Sequence, residues 1–162
     1  MNQTIKDQIF AHEAESRSSY EDLPAPDILN PLEQTLFQQD QDVAYKVFFA
    51  AAAAEGLATL NWLPPRHNDN GDAFRHCWWS YLMARKVGSD WAKRWGDAHE
   101  LGASSQPAIE QEMDLWNNQV GRNIADSGQQ GVSFAMESVR SGVCRRIVNG
   151  RLVPSNGEGE IG

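Results

Sequence analysis

The 162-residue sequence is short of cysteine, of positive charge and of uninterrupted apolar runs, and each shortage removes a class of protein. Its two cysteines, Cys77 and Cys144, have neither the density of a disulfide framework nor the spacing of a zinc-ligand pair. Lys and Arg number 14 against 22 Asp and Glu, a formal charge of −8, so the chain lacks the electrostatic footprint of a non-specific nucleic-acid binder. Arg140, Arg145, Arg146 and Arg151 form at most a local basic patch. The most apolar stretch, residues 43–54, is interrupted by Lys46 and followed by Glu55, and it falls short of the roughly 20 residues a bilayer requires. Its alanine-rich, nearly all-round apolar character predicts a buried central helix instead. At the amino terminus no charged segment precedes an apolar one, so a Sec-type leader is not expected and export would use another route.

What is present reads as a mainly α protein, a compact helical bundle with a small C-terminal β-hairpin. Pro24, Pro26 and Pro31 break up residues 1–31, which are expected to form an extended arm with a short helix over 2–15. Residues 32–153 form a single helical domain. Pro64-Pro65 and then Asn70-Gly71 predict a loop and tight turn before a helix that begins near Asp72. Gly88-Ser89 ends that helix and caps the next, over 90–101; Ser104, Ser105 and Pro107 announce a third, and a short helix spans 132–139. Alternation around Asn149-Gly150 predicts a hairpin with a type I′ turn over 145–153, and 154–162 is expected to be a flexible tail.

The chemistry is concentrated in residues 71–122. Asp72, Arg75 and His76 are spaced i, i+3, i+4, one face of a first helical turn, and charge-assisted hydrogen bonds can hold such groups together. An Asp at that position also serves as an ordinary helix cap. Phe74, Trp78, Tyr81 and Leu82 give the same helix a core-facing side. His99 and Glu100 end the second helix, and a tight turn between antiparallel helices brings them toward His76. On the third helix Ile109, Met113, Trp116 and Val120 make an apolar stripe beside Asp114, Asn117, Asn118 and Gly121. Adjacent asparagines are poor helix formers, which points either to solvent exposure or to amides that bond a substrate or a buried histidine. Gly121 allows close approach of another backbone or a ligand.

The blocks NDNGDAFRHCWW, WGDAHELG and MDLWNNQVGR resemble a helical domain family of bacterial wall-associated and polymorphic-toxin proteins, over residues 62–125. The resemblance carries Asp72, Arg75, His76, Trp79, His99, Glu100, Asp114, Asn117, Asn118, Gly121 and Arg122 as signature positions. Trp116 departs from the pattern, where a smaller or polar residue is expected. The family implies a toxin or effector setting without supplying a reaction.

Three functions follow as expectations. The first is an antibacterial effector that hydrolyses the bacterial envelope, peptidoglycan or phospholipid. In it His76 or His99 is the base, Glu100 or Asp72 orients that base, and Arg75 with Asn117 or Asn118 stabilises negative charge. The second is a metal-dependent phosphohydrolase or nuclease with His76, His99, Glu100 and Asp114 as ligands, so the cofactor is either none or a divalent metal. The third is a non-enzymatic binding or membrane-perturbing protein whose polar residues tie helices together. An immunity protein and a secretion carrier are the expected partners, with delivery into a target cell and nucleic acid disfavoured. The six tryptophans suit sugar rings or lipid, or simply core packing.

Overall fold

A computed structural model describes residues 26, 28–103 and 105–161. The helix expected over 2–15 and most of the amino-terminal arm lie outside the described residues, as does Ser104. Among the described residues six helices, α1 (Pro31–Gln39), α2 (Gln41–Asn61), α3 (Asn70–Val87), α4 (Ser89–Gly102), α5 (Ala108–Asp126) and α6 (Val132–Arg140), precede a two-stranded antiparallel hairpin of β1 (Arg145–Val148) and β2 (Arg151–Pro154). The chain is mainly α with a C-terminal hairpin, as its periodicity predicts.

The centre of the bundle is α3, not α2. The helix α3 packs against α2, α4, α5, α6 and β1, and in its first three turns residues on every side are buried. The expectation for α2 fails because its neighbours, α3 with smaller contacts from α1 and α4, cover only one side of it. Val43, Val47, Ala50, Ala54 and Ala58 follow helical spacing and face inward, while Phe49 and Leu60 stand exposed on the opposite side. By length and composition α2, at 21 residues, does pass as a helix able to cross a membrane, Lys46 and Glu55 notwithstanding.

Helix α3 also divides the core. Trp79 and Met83 join Leu36, Phe37, Val47 and Trp95 on one flank, while Phe74, Cys77 and Tyr81 join Trp62, Ile124, Val139 and Cys144 on the other. Its start is set by Asp69, whose Oδ1 accepts from the Asp72 amide at 3.0 Å. Asn70 and Gly71 therefore form the first helical turn instead of the expected tight turn. Gly88, at φ 88°, both ends α3 and caps α4, so Ser89 is already helical and is not the cap.

Main chain comes close to main chain between α3 and α5. A Cβ on Gly121 would stand 2.0 Å from the Cys77 carbonyl oxygen and 2.9 Å from the Tyr81 amide nitrogen, so only glycine lets these helices meet. In the hairpin Val148 pairs with Arg151, and Asn149 (φ 51°) and Gly150 (φ 72°) supply the two left-handed residues a type I′ turn needs.

Both ends of the domain differ from the expected boundaries. Asn30 caps α1 by accepting from the Leu32 and Glu33 amides, and its Nδ2 donates to the Ala98 carbonyl at 2.8 Å, so residue 30 belongs to the domain. The segment expected as a flexible tail is bonded down. Asn156 pairs with Asn70 through two hydrogen bonds, Leu63 N donates to Gly159 O at 2.8 Å, and Ile161 N donates to Asn61 O at 2.7 Å. These bonds satisfy main-chain groups at the α2–α3 connection that would otherwise need water.

Candidate functional site

Three helix ends meet at the polar cluster. The first turns of α3 supply Asp72, Arg75 and His76, the last turn of α4 supplies His99 and Glu100, and the second turn of α5 supplies Asp114. Asp72, His76, Glu100 and Asp114 are each at least 95 % buried, at 2, 3, 2 and 5 % exposure. They line one side of an open cleft of about 330 Å³, whose rim is completed by His67, Asn68, Gln106 and Glu110.

His76 is the hub. Its Nε2 lies 3.5 Å from Asp72 Oδ1 and 3.5 Å from Asp114 Oδ1, and its Nδ1 lies 3.3 Å from Glu100 Oε1 without the alignment of a hydrogen bond. Each carboxylate is anchored from behind. Asp72 Oδ2 accepts from the Asn68 amide at 2.6 Å, Asp114 Oδ2 from Gln106 Nε2 at 2.7 Å, and Glu100 Oε1 from Asn118 Nδ2 at 3.0 Å. Arg75 Nη2 donates to Asp72 Oδ1 at 2.5 Å and stands 2.8 Å from His76 Nε2, while its Nε is 3.8 Å from Glu55 on α2.

These contacts decide the charges. Burial lowers the affinity of His76 for a proton, but the Asp72 and Glu100 carboxylates and the charge on Asp114 outweigh it and raise the ring to about 10. Burial would lift Asp72, yet His76, Arg75 and the Asn68 amide hold it well below the usual carboxylate range. Glu100 is likewise lowered, its burial offset by His76, His99 and Asn118. Asp114 goes the other way. Burial raises it to about 6, with the Glu100 and Asp72 charges adding to the rise and His76 only partly opposing it.

A ring protonated on both nitrogens cannot accept from Arg75, so the 2.8 Å contact and the raised affinity of His76 describe two competing cations beside one Asp72 oxygen. The three surrounding carboxylates favour the protonated ring. His76 is therefore charged near neutrality and unavailable as a general base; Asp114 is the group that can exchange a proton there.

The other expected site residues separate by role. His99 lines the cleft but is about half exposed, donates from Nδ1 to Glu33 Oε1 at 2.8 Å, and is kept from His76 by Trp79, which stands edge-on to both rings. It takes no part in the buried cluster. Asn118 positions Glu100, whereas Asn117 bonds both main-chain groups of Arg145, donating to its carbonyl at 2.9 Å and accepting from its amide at 2.8 Å. The role expected for Asn117 in stabilising charge at the site is thus replaced by one in holding the hairpin. Trp116, on the outer side of α5, donates to the Val143 carbonyl and carries the Arg145 guanidinium over its ring at 4.7 Å, so it leaves the inner surface untouched. No tryptophan is among the residues lining the cleft, and Trp62 and Trp95 are core. His67, Asn68, Gln106 and Glu110 lie in a loop and at a helix start, where the sequence carries no periodic signal to mark them.

Residues 34–146 match a family described as a domain of unknown function, DUF6973. The match covers more than half of the chain and includes the whole buried cluster, and the chain belongs to that family. No solved structure matches.

Proposed function

We propose that this member of the DUF6973 family is a hydrolase whose reaction takes place where Asp114 and His76 face the cleft, and that it acts on the bacterial envelope as an antibacterial effector. The observation that supports this most is one of cost. Four ionisable side chains are buried together at the inner wall of an open cleft, an arrangement that is expensive for folding and that a structural network alone does not require to be reachable from solvent. Asp114 takes the proton from water or returns it to the leaving group. The charged His76, oriented by Glu100, and the partly exposed Arg75 stabilise negative charge as it develops.

The effector setting is supported by the resemblance to polymorphic-toxin domains, and the choice of envelope over nucleic acid by the net charge of −8 and an acidic cleft wall. An immunity protein and a secretion carrier are the partners such an effector would have, with the target cell as its site of action. The tryptophan argument for sugar or lipid carries little weight, since the cleft has none.

The test is expression of the full chain in the cytoplasm and, fused to an export signal, in the periplasm, alongside Asp114→Asn and His76→Gln variants whose folding is checked by circular dichroism. Growth arrest confined to the periplasmic form, with release of muropeptides or fatty acids, and abolished by both variants, is the expected result. Arrest that persists in folded variants would leave a non-enzymatic binding protein as the reading.

A further inference from the structure

The inward-facing oxygens of two aspartates converge on one imidazole nitrogen, and Arg75 reaches only one of the two oxygens. Asp72 and Asp114 each spend Oδ2 on an outer partner, Asn68 N and Gln106 Nε2, and each turns Oδ1 toward His76 Nε2. Asp114 Oδ1 accepts no hydrogen bond from the described residues although the residue is 95 % buried, a state that costs a carboxylate oxygen far more than it costs one facing water. One ligand atom from each of Asp72, His76 and Asp114 lies within 4.8 Å of the others.

We propose that Asp72, His76 and Asp114 bind one divalent transition-metal cation of the zinc or manganese type, with Glu100 holding the imidazole from behind, and that the cation displaces Arg75 and releases the Nε2 proton of His76 to solvent. The binding stands on the geometry; only its part in catalysis rests on the reading of the cleft as a hydrolytic site. Tetrahedral ligands about 2.1 Å from a cation stand roughly 3.4 Å apart. The two separations that Nε2 makes with the aspartate oxygens, 3.5 Å each, match that edge.

The surroundings fit a metal as well as the ligands do. A metal-bound histidine usually turns its other nitrogen to a carboxylate, and His76 Nδ1 faces Glu100, itself held by Asn118. One imidazole with two carboxylates suits zinc or manganese better than calcium or magnesium, which are bound almost wholly by oxygen. The open cleft leaves the fourth position to water and provides a way in.

Arg75 supplies the independent sign that the site expects positive charge. Its Nη2 stands against both Asp72 Oδ1 and His76 Nε2, along the edge where two ligands of the cation would meet. Its Nε already lies 3.8 Å from Glu55, so a second carboxylate is at hand when the guanidinium is pushed away. With the cation bound, Asp114 becomes a ligand, and the task of acidifying water passes from the carboxylate to the metal.

The experiment is titration of the chelator-stripped full chain with Zn²⁺ and, separately, Mn²⁺, by calorimetry and by manganese electron paramagnetic resonance. One equivalent is expected to bind. Asp114→Asn should weaken binding by at least about a hundredfold, and Glu100→Gln by about ten- to a hundredfold. His99→Ala and Glu110→Gln, in the same cleft but outside the triad, should leave it unchanged. Arg75→Ala removes a competing positive charge and should tighten binding by about tenfold. Absence of a stoichiometric site, an Asp114→Asn protein that binds like the parent, or weaker binding by Arg75→Ala overturns the proposal. Hydrolysis by chelated protein with no metal bound would sink the cation site and keep the hydrolase, whereas tight binding without hydrolysis of sacculi or phospholipid vesicles would do the reverse.

Discussion

Replacing Asp114 with Asn should make the protein more stable, and only above a particular pH. Asp114 is raised from 3.8 to about 6 in the folded chain, mainly by burial. Between those values the native state holds a proton that the unfolded chain has lost, so stability falls as pH rises through this window and levels off above it. A rise of that size corresponds to roughly 3 kcal/mol of penalty at pH 7. Asn keeps the shape and never ionises. The variant is therefore expected to match the parent near pH 4 and to exceed it by about 2–3 kcal/mol at pH 7, which for a chain of this size is roughly 6–9 °C in melting temperature. Urea unfolding at a series of pH values, with chelator present so that no cation intervenes, measures the difference directly. A variant that is equally displaced from the parent at pH 4 and pH 7, in either direction, would show that Asp114 is not held at an electrostatic cost and would refute the reasoning.

Gly121→Ala places a methyl group 2.0 Å from the Cys77 carbonyl oxygen, a main-chain atom that cannot rotate away, and should cost at least about 3 kcal/mol or prevent folding, the upper end for overpacking; a melting curve like the parent's would contradict the close helix contact. Asn117→Ala leaves the Arg145 amide and carbonyl without partners, at about 1–3 kcal/mol, while thermal unfolding drops and cation binding at the cleft stays as it was. Cys77 and Cys144 are both buried, and contact with Cys144 together with burial pushes the Cys77 thiol well above its ordinary value. A thiol reagent at pH 8 should label neither cysteine in the native protein and both after denaturation; prompt native labelling would place them elsewhere.

The helices from α3 onward and the hairpin were legible because their signals are local: a cap, a glycine, a period. The Asp72–Arg75–His76 face was legible for the same reason, since spacing within one helix fixes it. Adjacent positions were not. Side chains one residue apart diverge by about 100° on a helix, so His99 and Glu100 cannot both aim at His76. Which one turns inward depends on how α4 lies against α3. Asn117 and Asn118 are both buried only because α5 is covered on one side by α4 and on the other by β1. At α2 apolar content does not translate into depth, since Phe49 and Leu60 remain exposed. The helix that occupies the centre is instead one full of polar groups, because those groups find partners on its neighbours.

The glycine contact between α3 and α5 has a consequence for anything that enters the cleft. Asp114 lies two turns, about 10 Å, before Gly121 along α5, and His76 immediately precedes the Cys77 carbonyl against which that glycine rests. The gauge between the two aspartates is thus fixed by main chain seated on main chain, like the jaws of a caliper locked at the screw. A bulky guest cannot pry the helices apart, and size tolerance is left to Ala103, Ser105, Gln106 and Pro107 on the lining that follows α4.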